Sequence, residues 1–190
     1  MTAGRLLRAR DRVATPWRNG GGVTREVAAG PAEAGLEDFA WRVSLADVAT
    51  GGPFSAFPGV DRIITVVDGP GMELTVDGVP HTVAAPYEPF SFSGDAATDC
   101  RLLGGPLVDF NVMTRRAAAT AQVRVTREGF SVVPRSGTLT LVIALAGTAT
   151  VAGSGVALDR FDAVLFSGDQ ADAFQVDGVT AVVTVTTTGE

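Results

Sequence analysis

The chain has 190 residues, of which 46% are hydrophobic, so it is long enough to bury a core, and its formal net charge is −6. An acidic chain lacks the basic surface that nucleic-acid binding requires, and no apolar run approaches the roughly 20 residues that cross a bilayer. All the basic residues are arginine, and the single histidine and single cysteine exclude two-histidine zinc sites and internal disulfides. We therefore expect a soluble, cytoplasmic protein that binds neither nucleic acid nor membrane.

Short runs of β-branched residues, separated by glycine and proline, predict an all-β protein with little helix. The predicted strands, in chain order, cover residues 41–46, 63–67, 73–76, 90–92, 101–103, 108–113, 139–146, 163–166 and 179–187. Tight reversals that need positive φ are predicted at Asp68-Gly69, Asp77-Gly78, Ala152-Gly153 and Asp177-Gly178. The alanine-rich stretch 117–121 fits either a short helix or a link between two halves.

An internal repeat divides the chain. The tetrapeptide Phe92-Ser93-Gly94-Asp95 recurs as Phe166-Ser167-Gly168-Asp169, and in each half it follows a strand that ends at a glycine, Gly69 or Gly147. The repeat predicts two copies of a β-rich unit of about 75 residues, as in a duplicated sandwich or barrel. We therefore place one barrel at residues 1–118 and another at 119–190, which are allowed to share strands in one compact unit.

A duplicated small barrel with a glycine-ended strand resembles the cupin superfamily, which implies a bicupin of two tandem cupin-like barrels or jelly rolls. Metal-binding cupins place two histidines and a glutamate before the glycine, and a further histidine in a later motif. Here Arg62 stands at the glutamate position and Ala97 at the later histidine position, while Thr140 and Ala171 stand there in the second half. None of these residues is a metal ligand, so we expect no metal and no cofactor.

The arginine at this position has a chemical consequence. A guanidinium repels a divalent cation and presents five fixed donors, which suit a carboxylate or a phosphate. We therefore expect the first barrel to prefer a small anionic ligand. The structural alternative is that Arg62 forms an ion pair with Asp61, or with another carboxylate at the barrel mouth.

Residues 15–26 contain three successive glycines, whose bare backbone either approaches a ligand or turns sharply, and Trp17, which is interpreted mainly as a packing residue. This segment resembles the signature of the HutD/Ves family, and the resemblance continues in order through residues 41–46, 52–62, 89–95 and 109–116. The resemblance implies a bicupin linked to histidine utilisation or to stress response. It also implies a role in binding a small molecule, such as a formylglutamate-like acid.

Polar residues two apart share a face in extended segments, and this parity selects further candidates. The predicted ligand-binding residues are Arg62, Asn19, Thr24, Glu26, Arg42, Ser44, Asp109 and Asn111. On the strand 41–46, the alternating apolar residues Trp41, Val43 and Leu45 are expected to form the core face. For Asp109 and Asn111, the alternative is a purely structural bond to an arginine.

Three functions fit these residues. The first is a metal-independent bicupin that binds a small carboxylate linked to histidine utilisation and its regulation. The second is a metal-independent isomerase or hydrolase that uses Glu26 or Asp109 as its proton carrier. The third is a regulatory or assembly module without a small ligand, which is compatible with a homodimer formed through sheet edges. Binding is favoured over catalysis.

Overall fold

The computed structural model describes residues 4–133 and 135–188. Apart from a 3-10 helix at Ala9–Asp11, the regular elements of this part of the chain are β-strands, which confirms the predicted fold class. The first nine strands are β1 (Arg5–Leu7), β2 (Ala14–Pro16), β3 (Gly22–Gly30), β4 (Trp41–Val48), β5 (Gly52–Pro53), β6 (Val60–Asp68), β7 (Met72–Val76), β8 (Val79–Val83) and β9 (Phe90–Ser93). The others are β10 (Thr98–Leu102), β11 (Leu107–Arg115), β12 (Ala119–Thr126), β13 (Phe130–Val132), β14 (Thr138–Val151), β15 (Val156–Leu158), β16 (Ala163–Ser167) and β17 (Asp172–Thr187).

Residues 13–119 form one compact unit, the first barrel, built from two sheets. The six-stranded sheet has the order β2-β3-β4-β11-β6-β9, and the four-stranded sheet has the order β5-β10-β7-β8. Apolar side chains from both sheets pack into one inner cluster, which gives each sheet an inner face. The buried members of this inner cluster are Ala46, Val48, Ile64, Val66, Met72, Leu74, Val83, Cys100 and Leu107.

The second compact unit combines residues 4–12 with the described residues from 120 onward. Its sheet has the order β1-β16-β14-β17-β12, with β13 beside β17 and β15 beside β14. Strand β1 pairs antiparallel with β16, so the backbone hydrogen bonds of the N-terminal strand are made within this unit. The structure therefore places residues 4–12 in the second unit, whereas the predicted boundary placed them in the first.

The predicted repeat is visible in the strand order. The path β4-β11-β6-β9 in the first unit corresponds to β12-β17-β14-β16 in the second. Phe92 is the cross-strand partner of Arg62, and Phe166 is the partner of Thr140. Arg62 and Thr140 therefore occupy matching positions in the two units, as their spacing from the two glycines predicts.

Each predicted strand overlaps an observed strand, but several observed strands, among them β3, were not predicted. Strand β3 was not predicted because it begins at a glycine and carries charged residues among its apolar ones. The stretch 117–121 is not a helix: a turn at residues 116–118 leads directly into β12. The boundary between the two units falls after Ala119, so the alternative of a link between two halves is confirmed. No helix among the described residues is long and apolar enough to cross a membrane.

Glycine has a different role at two of the predicted reversals, one of which is a turn and the other part of a strand. Asp77-Gly78 joins β7 to β8 with φ angles of 47° and 82°, as predicted. The reversal predicted at Asp177-Gly178 is wrong, because the chain continues through it as β17. Gly178 faces Gly147 on β14, and a Cβ atom there would collide with the backbone of β14, so these glycines permit close strand approach.

Candidate functional site

The inner face of the six-stranded sheet carries a band of polar side chains. Opposite residues on neighbouring strands point to the same side, so the register defines rows on this face. The first row is Arg42, Met113, Arg62 and Phe92; the second is Glu26, Ser44, Asn111, Ile64 and Phe90; the third is Thr24, Ala46, Asp109 and Val66. Ala46, Ile64 and Val66 belong to the inner cluster, so all three rows face the interior of the first barrel. The structure thus brings together every predicted ligand-binding residue except Asn19.

Arg62 is a buried cation enclosed by aromatic rings. It is 7% exposed, and its guanidinium carbon lies 5.1, 5.7 and 5.0 Å from the ring centroids of Phe54, Phe57 and Phe92. The negative faces of these rings favour a positive charge. Burial lowers the pKa of Arg62 to about 10, an effect that Asp109 partly offsets, so the side chain stays charged at neutral pH.

The ion-pair alternative for Arg62 is wrong. Asp61 accepts a hydrogen bond from Nε of Arg116 at 2.6 Å, and no ion pair of the described residues includes Arg62. The Nε atom of Arg62 is buried without a hydrogen-bond partner. The Arg62 guanidinium thus has no ion-pair partner in the described part of the chain and a spare donor, and the buried Asp109 offsets part of its charge.

Asp109 is the most deeply buried charged residue of the band. It is 2% exposed, and its Oδ1 atom has no hydrogen-bond partner. Burial raises the pKa of Asp109 to about 7; Arg62 opposes this rise, and Asp47 adds to it. Near neutral pH, the Asp109 carboxyl group therefore populates both its protonated and its ionised form.

Asn111 and Ser44 lie beside each other between the rows of Arg62 and Asp109. They are 8% and 3% exposed, and Oδ1 of Asn111 has no hydrogen-bond partner. The structural bond to an arginine that was the alternative for Asp109 and Asn111 is not formed by these unpartnered atoms. The interior therefore offers polar atoms of both kinds, a guanidinium donor and carboxyl and amide oxygens, to a ligand.

Glu26 and Thr24 are engaged with neighbouring side chains. Nε of Arg42 donates to Oε2 of Glu26 at 2.8 Å, and the Arg42 and Glu26 side chains are 14% and 45% exposed. The indole N–H of Trp17 donates to Oγ1 of Thr24 at 2.7 Å. The charge of Arg42 is thus balanced within the protein, in contrast to that of Arg62.

Asn19 lies apart from the band, in the glycine-rich loop. Its side-chain oxygen accepts a hydrogen bond from the N–H of Gly21 at 3.0 Å, so it shapes the turn. A Cβ atom on Gly22 would lie 3.1 Å from the Trp17 ring and 2.5 Å from the backbone oxygen of Asp47. Trp17 packs against the inner cluster, as interpreted, and the glycine allows it to approach.

The face of strand β4 that was predicted as a core face is buried in the hydrophobic core, but it does not line the interior of the barrel. Trp41, Val43 and Leu45 are buried, but Ser44 and Ala46 on the opposite face are buried as well. The inner cluster contains Ala46, so the face that carries Ser44 lines the interior. Because both faces of β4 are buried, the alternation of apolar and polar residues does not indicate which face lines the barrel, and the prediction depended on that alternation.

The aromatic cage of Arg62 was missed by sequence reasoning, although all three rings lie in segments that carried the family resemblance. Phe92 follows from the register of β6 and β9, since it is the cross-strand partner of Arg62. Phe54 and Phe57 lie in the connection between β5 and β6, where no periodic pattern assigns a direction to a side chain. The sequence did contain one signal for this cage: aromatic residues lie a few positions before Arg62, the arginine at the position of a metal ligand.

The matching interior of the second unit is apolar apart from Thr180, whose buried Oγ1 atom has no hydrogen-bond partner. Val142, Ala144 and Val182 lie in its buried cluster. Thr180 occupies the position that matches Asp109, since Thr180 is the cross-strand partner of Ala144 and Asp109 that of Val66. No charged side chain belongs to this cluster among the described residues. Buried charges without an ion pair thus distinguish the interior of the first barrel from that of the second, where the buried Asp162 is paired with Arg8.

A surface groove of about 300 Å³ lies elsewhere on the first barrel. Among the residues that line it are Asp47, Asp68 and Pro106, but neither Arg62 nor Asp109 does so. We place the candidate site at the polar band, because both buried charges of the described residues without an ion pair, Arg62 and Asp109, lie there together with the unpartnered Oδ1 of Asn111. In residues 4–133 and 135–188, no group of three or more His, Cys, Asp and Glu side chains could hold a metal ion.

Known proteins similar to this chain carry the family name that its segments suggested. The family model described as HutD matches residues 9–184. An uncharacterised 21.2 kDa protein in the hutC 3′ region of Pseudomonas putida is 49% identical over 108 residues, which are 57% of this chain and 56% of that protein. Protein Ves of Citrobacter koseri is 40% identical over 129 residues, which are 67% of this chain and 66% of that protein. The aligned part of the chain spans between half and two thirds of the length of these relatives.

Solved structures extend the similarity to the whole fold. HutD from Pseudomonas fluorescens SBW25 superposes with a TM-score of 0.86 at 36% identity, covering 98% of this chain and 100% of that one. A cupin 2 conserved barrel domain protein from Leptotrichia buccalis, at 10% identity, superposes with a TM-score of 0.60 over 99% of this chain and 98% of that one, which shows the fold alone. The matched family model and the relatives show that this chain belongs to the HutD/Ves family, and its fold is cupin-like.

Proposed function

We propose that the first barrel binds a small carboxylic acid without a metal, and that Arg62 is its electrostatic anchor. The observation that carries this proposal is the buried Arg62 guanidinium, which lacks a compensating ion pair while Arg42 nearby has one. Removing a charge from water is costly unless a counterion or hydrogen bonds offset the loss. A ligand carboxylate supplies both, because it accepts charge-assisted hydrogen bonds from a guanidinium.

We propose further that the acid is formylglutamate-like and belongs to histidine utilisation. The Pseudomonas putida relative is described by its position in the hutC 3′ region. The Pseudomonas fluorescens relative is named HutD, and its structure is described as a formate condition. N-formylglutamate, urocanate, glutamate and formate are therefore the probes that separate a pathway acid from a generic carboxylate.

Calorimetric titration of the EDTA-treated protein with these four probes tests the proposal. We expect binding of at least one acid, and we expect Arg62→Met to weaken it roughly 10- to 150-fold, since a charge-assisted hydrogen bond contributes about 1.5–3 kcal/mol. Methionine keeps an unbranched stem of similar length but removes the charge.

Arg101→Met is the matched control, because Arg101 is an exposed arginine paired with Glu73 on the four-stranded sheet. This variant is expected to bind as the wild type does. The proposal fails if none of the four acids binds to the wild-type protein, or if both variants lose affinity equally.

A second candidate function is metal-independent isomerase or hydrolase chemistry with Asp109 as proton carrier. The raised pKa of Asp109, about 7, favours this role over Glu26, which is exposed and paired with Arg42. Turnover of a probe acid, followed by NMR in the presence of EDTA, should then disappear in Asp109→Asn. Probe acids that remain unchanged after prolonged incubation would exclude it for those substrates.

A further inference from the structure

The charged side chains inside the first barrel sum to zero when all are ionised, so a bound anion adds an unbalanced negative charge. Arg42 is paired with Glu26, and on the opposite face Arg25 is paired with Asp47. This leaves one buried cation, Arg62, and one buried acid, Asp109, without an ion-pair partner among the described residues. With both ionised, the two charges cancel, so a bound carboxylate leaves a surplus negative charge in a medium of low dielectric constant.

We infer that carboxylate binding in the first barrel is coupled to the uptake of one proton by Asp109. The inference rests on the proposed function, and it adds how the site balances its charge. A proton on Asp109 restores neutrality beside the bound anion. The proton comes from solvent and forms an O–H bond on the carboxyl group, so no other bond is made or broken.

The hydrogen-bonding geometry supports the same conclusion. Oδ1 of Asp109 lies buried without a hydrogen-bond partner, on the face that also carries Asn111 and Arg62. An ionised carboxylate only accepts hydrogen bonds, whereas a protonated carboxyl group donates one. A protonated Asp109 can therefore donate to an oxygen of the bound anion, or to a polar group next to it, where the ionised form would repel it.

Other ionisable groups surround Asp109 on each element that packs against its strand. They are Arg62, Asp61 and Asp68 on β6, Arg42 and Asp47 on β4, Glu26 and Arg25 on β3, Glu73 on β7, Cys100, Asp99 and Arg101 on β10, and His81 on β8. Burial raises the pKa of Cys100 to about 11, so its thiol stays protonated across the neutral range. His81 is the cross-strand partner of the buried Leu74 and contacts the Phe90 ring, so a His81 variant serves as a control.

The direction of the coupling follows from the free protein. The pKa of Asp109 is about 7 before the anion binds, and the anion's charge raises it further. At pH 8 the free carboxyl is mostly ionised, so binding should take up about 0.9 proton, whereas at pH 6 it is already protonated and uptake should fall to about 0.1. Above pH 7, affinity should weaken by up to about tenfold per pH unit.

Calorimetry in two buffers of different ionisation enthalpy, HEPES and Tris at pH 8, measures the number of protons taken up as N-formylglutamate binds. The same measurement at pH 6, with buffers suited to that pH, gives the second point. We expect Asp109→Asn to bind with little proton uptake at either pH and with an affinity that no longer depends on pH. His81→Asn is the matched control and is expected to take up protons as the wild type does. Carbon-13 NMR of the Asp109 carboxyl group, with and without N-formylglutamate, measures directly how far the bound acid raises the pKa of Asp109. This measurement uses the wild-type protein, so the test does not depend on whether a variant folds.

The outcomes separate the two proposals. Binding at pH 8 without proton uptake overturns the coupling but leaves carboxylate binding intact. Uptake that persists in Asp109→Asn, or that disappears in His81→Asn, assigns the proton to another group and also overturns the coupling. If the wild type binds none of the four probe acids, both the coupling and the proposed function fail.

Discussion

Arg62 and Asp109 have opposite relations to their surroundings although both are buried in one barrel. Three aromatic faces favour the charge of Arg62, which stays protonated, whereas no group close to Asp109 forms an ion pair with it. Burial acts on both groups in the same sense, against the charged form. The outcome differs because an arginine starts far above neutral pH and an aspartate starts below it.

The raised pKa of Asp109 predicts how stability depends on pH without any ligand. Between the ordinary aspartate value of about 4 and the folded value of about 7, the folded state holds a proton that the unfolded state lacks, so stability falls as pH rises. Relative to the wild type, Asp109→Asn should therefore gain up to about 1.4 kcal/mol per pH unit across this window. Urea unfolding of both proteins at several pH values between 4.5 and 7.5 measures the difference. A difference that stays constant with pH would contradict the assignment.

At the scale of elements, register determines the site. The pairing of β4, β11 and β6 places Arg42, Met113 and Arg62 in one row and Asp109 two rows further along the strands. A shift of one residue in any of these strands would turn its polar side chains out of the barrel. The site therefore depends on the strands that hold it more than on any loop.

The glycine pair of the second unit gives an element-scale prediction. Gly178→Ala should destabilise the protein by more than about 2 kcal/mol, because its Cβ would collide with β14 in addition to the strained positive φ. Gly155→Ala is the matched control, since Gly155 also has positive φ but has open space around it, and its cost should be about 1 kcal/mol. Urea unfolding compares the two variants. Equal losses would show that backbone strain alone matters at Gly178.

At the scale of the whole molecule, duplication has produced two barrels of different chemistry. The first unit buries Arg62 and Asp109 inside its barrel without an ion pair to any described residue, whereas the second has an apolar cluster around Val142, Ala144 and Val182, and its buried Asp162 is paired with Arg8. A carboxylate would gain no donor from that cluster and would lose its hydration. We therefore expect the binding function to belong to residues 13–119 and the second unit to be structural.

This asymmetry predicts the stoichiometry of binding. Titration with N-formylglutamate should give one site per chain, and Arg62→Met should weaken that site without revealing a second one. Native mass spectrometry counts the bound acids independently of the heat of binding. Two equivalent sites per chain would contradict the assignment of binding to the first unit.

The sequence by itself determined the all-β class, the repeat and the arginine at the position where metal-binding relatives carry a ligand. Each of these is local: β-branched runs between turn residues predict strands, and Arg62 and Thr140 can be matched by counting from their glycines. The candidate residues on β3, β4 and β11 were also recognisable, since strand parity groups them.

Only the tertiary structure decided which face of β4 lines the barrel, which rings enclose Arg62 and which acid lacks a partner. Both faces of β4 are buried, so its pattern carried no sign of the interior. The cage joins Phe54 and Phe57 from a connection to Phe92 from another strand, and such contacts depend on chain closure. The isolation of Asp109 is likewise a property of its surroundings, because burial and distance to every other charge are set only when distant strands pair.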